Sequence, residues 1–215
     1  MQDIEKFIRG FGRFQQQYLS EPTALDSLRS GQHPGTLVIG CCDSRVDPAL
    51  LTGSDPGDMF VVRNIANLVP PCTRDAPPGV SSAIEFAVCG LEVSRIIVLG
   101  HARCGGIRAL MSQARVTEET DFVARWMRIA EPVRQEVLRE LSHKHEDSRC
   151  RAAELASILH SLDNLMTYPW IKRRVEAGKL ALHGWYFDIA TGSLQAYSPR
   201  KQEFLNLVEP LAAAA

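Results

Sequence analysis

Two thiols, an imidazole, a carboxylate and a guanidinium are gathered in two short segments of this chain, Gly40-Cys41-Cys42-Asp43-Ser44-Arg45 and His101-Ala102-Arg103-Cys104-Gly105-Gly106. His101 and Cys104 are three residues apart and can grip one ion, and Cys41 can complete a set of three if its segment lies alongside. Two thiolates and one imidazole suit zinc, whose tetrahedral shell takes sulfur and nitrogen readily. Three protein ligands leave the fourth position to water, as a catalytic site requires; a structural site would want a fourth Cys or His, and no nearby Cys-x-x-Cys supplies one. Zinc lowers the pKa of bound water from ~15.7 to roughly 7, which makes a nucleophile near neutral pH. Asp43 and Arg45 follow Cys41 at two-residue steps, so an extended chain puts all three on one face. Asp43 can then accept the proton of the metal-bound oxygen while Arg45 holds the carboxylate by paired hydrogen bonds. Cys42 competes for the ligand role, but alternation turns it to the opposite face, where it reads as core packing.

The elements that must position these residues are legible as patterns. Thr36-Leu-Val-Ile and Arg95-Ile-Ile-Val-Leu are β-branched runs, each stopped by glycine and followed by one of the polar segments. They read as buried parallel strands over 36–40 and 95–100, and a crevice outside the carboxyl ends of such strands is the usual ligand site. Residues 59–63 predict another strand and 180–189 a fourth, which Thr191-Gly192 turns into a hairpin with 193–198. Helices are expected over 3–19, about 80–92, from Gly105-Gly106, 119–142 and 150–167, the last ended by Tyr168-Pro169. The first carries an unusually aromatic stripe of Ile4, Phe7, Ile8, Phe11, Phe14, Tyr18 and Leu19 that suits the core of its own chain or a partner's. The β–α–β succession predicts a single α/β domain, a mixed, mainly parallel sheet flanked by helices, with 1–19 as a helical arm. Ala212–Ala215 reads as a frayed tail.

A chain of 215 residues, 45% hydrophobic and 23% charged, can build its own core, and a net charge of −1 gives no reason to expect nucleic acid or a membrane as partner. The charged N-terminus lacks the apolar stretch of a signal peptide, so the cytoplasm is the default. There the six cysteines are expected reduced, which leaves metal binding as their competing use. Cys72, Cys89 and Cys150 read as buried residues or free thiols, His143 and His145 as solvated, His160 and His183 as satisfied structural histidines, and His33 as a loop residue with no evident partner. Arg63, after an apolar strand, suits structural anchoring and an anion contact about equally.

Cys-x-Asp-Ser-Arg followed by His-x-x-Cys-Gly-Gly resembles the β-class carbonic anhydrases, in their plant-type, open-site subgroup, and the likeness extends through Val62-Arg63-Asn64, Leu162-Asp163-Asn164-Leu165 and His183-Gly184-Trp185. The resemblance implies one zinc on Cys41, His101 and Cys104, with Asp43 and Arg45 as a catalytic dyad for the hydration of CO2 to bicarbonate. It also implies a substrate pocket of Gln32, Phe60, Ile65, Phe86 and Gly105, with Phe86 in place of a tyrosine common in that subgroup. In the family the Phe60 and Phe86 type residues reach the metal site of the neighbouring subunit, so a homodimer is the minimum unit, and the N-terminal arm wraps a neighbour. A second, inhibitory bicarbonate site found in another subgroup needs a tryptophan, an arginine and a tyrosine; here Val38, Arg63 and Phe187 stand at those positions. Hydrolysis of COS or CS2 on the same scaffold is the rival enzyme reading. A non-catalytic zinc module is the other alternative, against which the intact Asp43–Arg45 pair argues.

Overall fold

The computed structural model describes residues 2–20, 26, 29–74, 78–114 and 117–211, so Pro77 and the alanine tail at 212–215 lie outside the described residues. Six strands form one sheet in the order β2-β1-β3-β4-β5-β6. They are β1 (Thr36–Cys41), β2 (Met59–Asn64), β3 (Arg95–His101), β4 (Ala181–Asp188), β5 (Ser193–Ser198) and β6 (Glu203–Val208). The first four pair in parallel, and β5 and β6 continue the sheet antiparallel. The chain leaves β1 to one side to make β2, then crosses to the other side to make β3. Strand order therefore reverses between β1 and β3, and a crevice opens there at their carboxyl ends. The pairing of Cys41 with Asn64 and of Gly40 with Leu99 brings those ends level.

Helices are α1 (Gln2–Tyr18), α2 (Pro48–Thr52), α3 (Pro78–Glu85), α4 (Gly105–Ser112), α5 (Phe122–Met127), α6 (Glu131–Glu140), α7 (Glu146–Met166) and α8 (Pro169–Glu176). Leu37 and Ile39 of β1 and Ile96 and Val98 of β3 face α3, α7 and α8 in the main core, together with Ile84, Ile158, Leu165 and Ile171. The alternate residues Val38, Ile97 and Leu99 make a smaller cluster on the other face with Trp185, Phe187 and Leu194. Helix α7 lies close on the sheet because Gly100 and Gly184 leave room for Ile158: a Cβ at either glycine would come within 2.6 Å or 2.8 Å of that side chain. Among the described residues no helix is long and apolar enough to cross a membrane.

Several elements differ from the sequence expectation. The helix expected over 119–142 is broken by a 3-10 turn at Arg128–Ala130 before α6, where Pro132 has no N–H to continue the ladder. Tyr168-Pro169 does end α7, but Pro169 at once opens α8, since proline is tolerated in a first turn. Helix α7 begins at Glu146, earlier than expected, with Glu146 and Asp147 favourably placed at its amino end. Strand β6 and helix α2 were not anticipated, although α2 has Asp47 as its N-cap, bonding Ala49 and Leu50 N–H, and a left-handed Gly53 at its end. Helix α3 runs into a π turn over Phe86–Gly90, closed by Leu91 N–H on the Phe86 carbonyl.

Cys42 is exposed, not packed in the core: it does point away from Cys41, but the chain does not cover that side of the strand end. His183 likewise stands exposed on β4, and His160 is the structural histidine expected, its Nε2 2.8 Å from the Ile129 carbonyl. His143 and His145 are exposed, as are Cys72 and Cys89, while Cys150 is buried; all six thiols are free.

Candidate metal centre

Cys41 ends β1, His101 ends β3, and Cys104 caps the start of α4, so the three meet at the crevice where strand order reverses. All are buried, and their ligand atoms lie within 4.8 Å of one another. The two sulfurs are 4.0 Å apart. Tetrahedral zinc with each sulfur at ~2.3 Å would place them about 3.8 Å apart, close to the spacing found. His101 Nδ1 meets the Ala102 carbonyl at 2.9 Å, which leaves Nε2 as the free nitrogen; it is buried with no hydrogen-bond partner. A buried nitrogen without a partner beside two thiols is costly for a protein that binds nothing there and is what a metal ligand requires. The donor set therefore fits a thiophilic divalent cation.

The two sulfurs share one hydrogen bond. The hydrogen bond from Cys104 pulls the Cys41 thiol down, and the same bond, reinforced by burial, pushes Cys104 up. Burial works against a charged His101, but the Cys41 sulfur, the Ala102 carbonyl and Asp43 together more than offset it, and the net shift is upward.

The segment after Cys41 is fixed by two arginines. Asp43 Oδ1 accepts Arg45 Nε at 2.9 Å and Arg45 N–H at 3.0 Å, and Oδ2 accepts Arg45 Nη2 at 2.7 Å. A carboxylate has about four acceptor sites, so three are occupied and one, on Oδ2, stays open. These bonds, ahead of any charge effect, hold the Asp43 carboxyl well below the usual range. Arg45 also reaches the Arg103 carbonyl at 3.3 Å, tying the two segments together. Arg63 bonds the Cys41 carbonyl, the Asp43 carbonyl and the Asp47 carboxylate, each at 2.8 Å. Anchoring is therefore its role in this structure.

Other expected residues divide into two groups. Gly106 must be glycine, since a Cβ there would come 2.6 Å from Ile65 and 3.1 Å from Ala66, whereas at Gly105 it would meet nothing within 4 Å. Ile65 thus packs on the backbone just after Cys104, where Gly105 leaves open space, and the turn after β2 is held by Asn64, whose amide brackets Leu68 at 2.9 Å on both sides. Phe60 and Phe86 pack on each other at 5.8 Å, with Phe86 51% exposed, but Phe60 pairs with Leu37 near the amino end of the sheet. Four residues at ~3.3 Å each put it about 13 Å along the strand from the level of Cys41. Gln32 precedes β1 and is exposed. One chain does not bring Gln32, Phe60 or Phe86 to its own metal cluster.

A residue that sequence reasoning missed is Glu154 of α7, which accepts the Cys104 N–H at 3.0 Å. It stands fifty residues away, and its partner is a main-chain group, so no side-chain motif could have revealed it.

The sequence profile described as carbonic anhydrase matches residues 36–194. A carbonic anhydrase from Synechocystis sp. is 38% identical over 214 residues, covering 96% of this chain and 78% of that protein. The chloroplastic β carbonic anhydrase 5 of Arabidopsis thaliana is 40% identical over 182 residues, and the match spans 85% of this chain but 60% of the longer plant protein. Among solved structures, the β-carbonic anhydrase CcaA superposes with a TM-score of 0.89 at 37% identity, over 99% of this chain and 94% of its own. A tetrameric β-carbonic anhydrase of Sordaria macrospora gives 0.76 at 28%, over 98% and 97%.

Proposed function

Because this chain belongs to the β-class carbonic anhydrase family, we propose that it hydrates CO2 reversibly to bicarbonate and a proton, with zinc held by Cys41, His101 and Cys104. The observation that carries the reading is the preformed Asp43–Arg45 pair beside a buried Cys/His/Cys cluster. A metal serving structure alone would need no such pair. Bound there, zinc supplies a nucleophile from water at neutral pH.

The chain's own residues do the rest. The single open acceptor site of Asp43 admits only a group that can donate, so it selects a protonated oxygen and turns its lone pair toward the substrate carbon. Arg45 keeps the carboxylate from swinging inward, and Arg63 keeps the main chain under it from moving. CO2 is small and apolar and needs a dry wall with one or two donors. Ile65 and Gly105 supply part of that wall, and Gln32, Phe60 and Phe86 of a second copy complete it in the open-site, plant-type arrangement. A homodimer is then the smallest active unit. The stripe of α1 supports it: Ile4, Phe7, Ile8 and Phe11 stay 58–73% exposed on the isolated chain, while Phe14 and Tyr18 pack down at the other end. The tetramer described for the Sordaria protein is in keeping with such assembly. Six free thiols suit a reducing compartment, and we place the protein in the cytoplasm.

Stopped-flow hydration of CO2 by the zinc-loaded protein tests the reaction, with COS and CS2 run beside it. Turnover of either sulfur substrate in preference to CO2 would overturn the assignment. Elemental analysis should give one zinc per chain, lost in Cys104→Ala; full retention by that variant would remove Cys104 from the site.

A further inference from the structure

Behind Cys104, on the side away from the crevice, four side chains from α7 and β4 form a connected polar chain that the reaction as described does not use. Glu154 is 5% exposed, and both of its oxygens accept: Oε1 from Cys104 N–H at 3.0 Å, Oε2 from the Tyr186 hydroxyl at 2.8 Å. Tyr186 is fully buried. The Arg151 guanidinium lies over its ring at 5.2 Å and donates to Asp188 at 2.8 Å, with Tyr186 Oη at 3.5 Å. Glu154 follows Arg151 by three residues on one helix face, and Asp188 follows Tyr186 by two on one strand face. Helix and strand thus interleave their groups into one chain running from a partly exposed guanidinium inward to the metal-site backbone.

Two features tie this chain to the site. Both oxygens of Glu154 are engaged by donors from the protein, one from each side. Burial raises its pKa on balance, and the donors from Cys104 and Tyr186 offset that rise only in part. The group it holds is also at a strained corner. Arg103 has a left-handed backbone, φ 57°, unfavourable for a residue with a Cβ. Three bonds pin this corner from three directions: Ala102 N–H to the Phe187 carbonyl, Arg45 to the Arg103 carbonyl, and Cys104 N–H to Glu154. The last alone acts on the residue whose sulfur faces Cys41.

We propose that Glu154 is a positioning residue for the metal centre, holding Cys104 by its main-chain N–H so that the sulfur is presented to the cation, with Tyr186 fixing the carboxylate in turn. This rests on the reading of Cys104 as a ligand. Metal-site partners of this kind typically change affinity by 10–100-fold when removed. Glu154→Gln keeps the shape but sets an amide donor against one of the two donors it faces. Tyr186→Phe removes only the hydroxyl that orients the carboxylate.

The test is made on the purified full chain, reconstituted with zinc and separately with cobalt(II). Zinc is competed against a chromophoric chelator, and the sulfur-to-cobalt charge-transfer band reports the Cys41 and Cys104 thiolates together, so that a change confined to Cys104 shows as a partial loss or shift. Glu154→Gln should weaken zinc binding by at least tenfold and shift or diminish the band, with Tyr186→Phe doing the same more weakly, by a few-fold. A merely structural role would lower thermal stability and leave the band in place, which would overturn the proposal. Wild-type affinity and an unchanged band in Glu154→Gln would also overturn it. If Glu154→Gln does not fold, Tyr186→Phe decides alone: an altered band with faster zinc release supports the role, and wild-type values exclude it. Cys104→Ala separates the two levels, because retention of zinc and of the full band there defeats the ligand assignment itself, whatever Glu154 does.

Discussion

Asparagine at position 43 would keep the side chain's shape and turn one of its two acceptors into a donor. Since Arg45 already takes three acceptor sites of Asp43, the loss falls on the pairing or on the open site, and either misdirects the reacting oxygen. Asp43→Asn should lower turnover by roughly 10²-fold with zinc still bound, in line with losses on changing groups that orient metal ligands; wild-type turnover would end the proposed role. The pH behaviour has a definite sign. The folded pKa of Asp43 is depressed, chiefly by the Arg45 hydrogen bonds, so the pair's contribution is complete above the unfolded value of ~3.9 and fades only as pH falls through the lower folded one. A loss of activity between pH 6 and 8 therefore belongs to the metal site and not to Asp43. Carboxyl NMR should find Asp43 still ionised at about pH 3.5, and a midpoint at 4 or above would contradict the pairing. Residues of this kind were legible because they fall in two compact motifs, Cys41 to Arg45 and His101 to Cys104, each directly after a readable strand. Gln32, Phe60 and Phe86 were legible only by family likeness, and Glu154 not at all.

Helix α7 approaches the sheet most closely at Ile158, which is seated over Gly100 and Gly184. Gly100→Ala should cost about 1–3 kcal/mol by overpacking. Adding Ile158→Val, which removes the nearest carbon and leaves Cγ1 at 2.8 Å, should recover part of it in urea unfolding of the metal-loaded protein. Two independent, additive losses would mean that the contact is not what fixes the spacing. For α1, deletion of residues 1–19 should leave the folded domain intact and weaken its self-association, since the exposed stripe does not serve the chain's own core. Sedimentation at micromolar concentration checks it, and an undisturbed dimer would place the docking elsewhere. Long strands and strongly periodic helices were readable from sequence at this scale. The short α2, the prompt restart at Pro169 and the edge strand β6 were not, because each is decided by capping and pairing partners and not by a repeating apolar pattern.

Across the molecule, the three described residues that the family likeness sets against another subgroup's second anion site are ill suited to make one. Val38 is buried in the far-face cluster, Phe187 has no hydroxyl, and Arg63 is committed to Cys41, Asp43 and Asp47. Activity should therefore follow a single-proton pH profile without cooperative inhibition by bicarbonate; a steep, multi-proton profile would overturn that. The parallel sheet places the cysteine–histidine cluster at one end and the Phe60–Phe86 pair near the other. If a second copy supplies that pair, as proposed above, the separation has a genetic consequence. A gene copy damaged at Asp43 and another damaged at Phe60 and Phe86 should each encode an inactive protein, yet co-expression should restore function. In a mixed dimer, one crevice receives both faults and the other receives none. With random pairing, about a quarter of all sites should be whole, so two null alleles would complement where a self-contained active site never could.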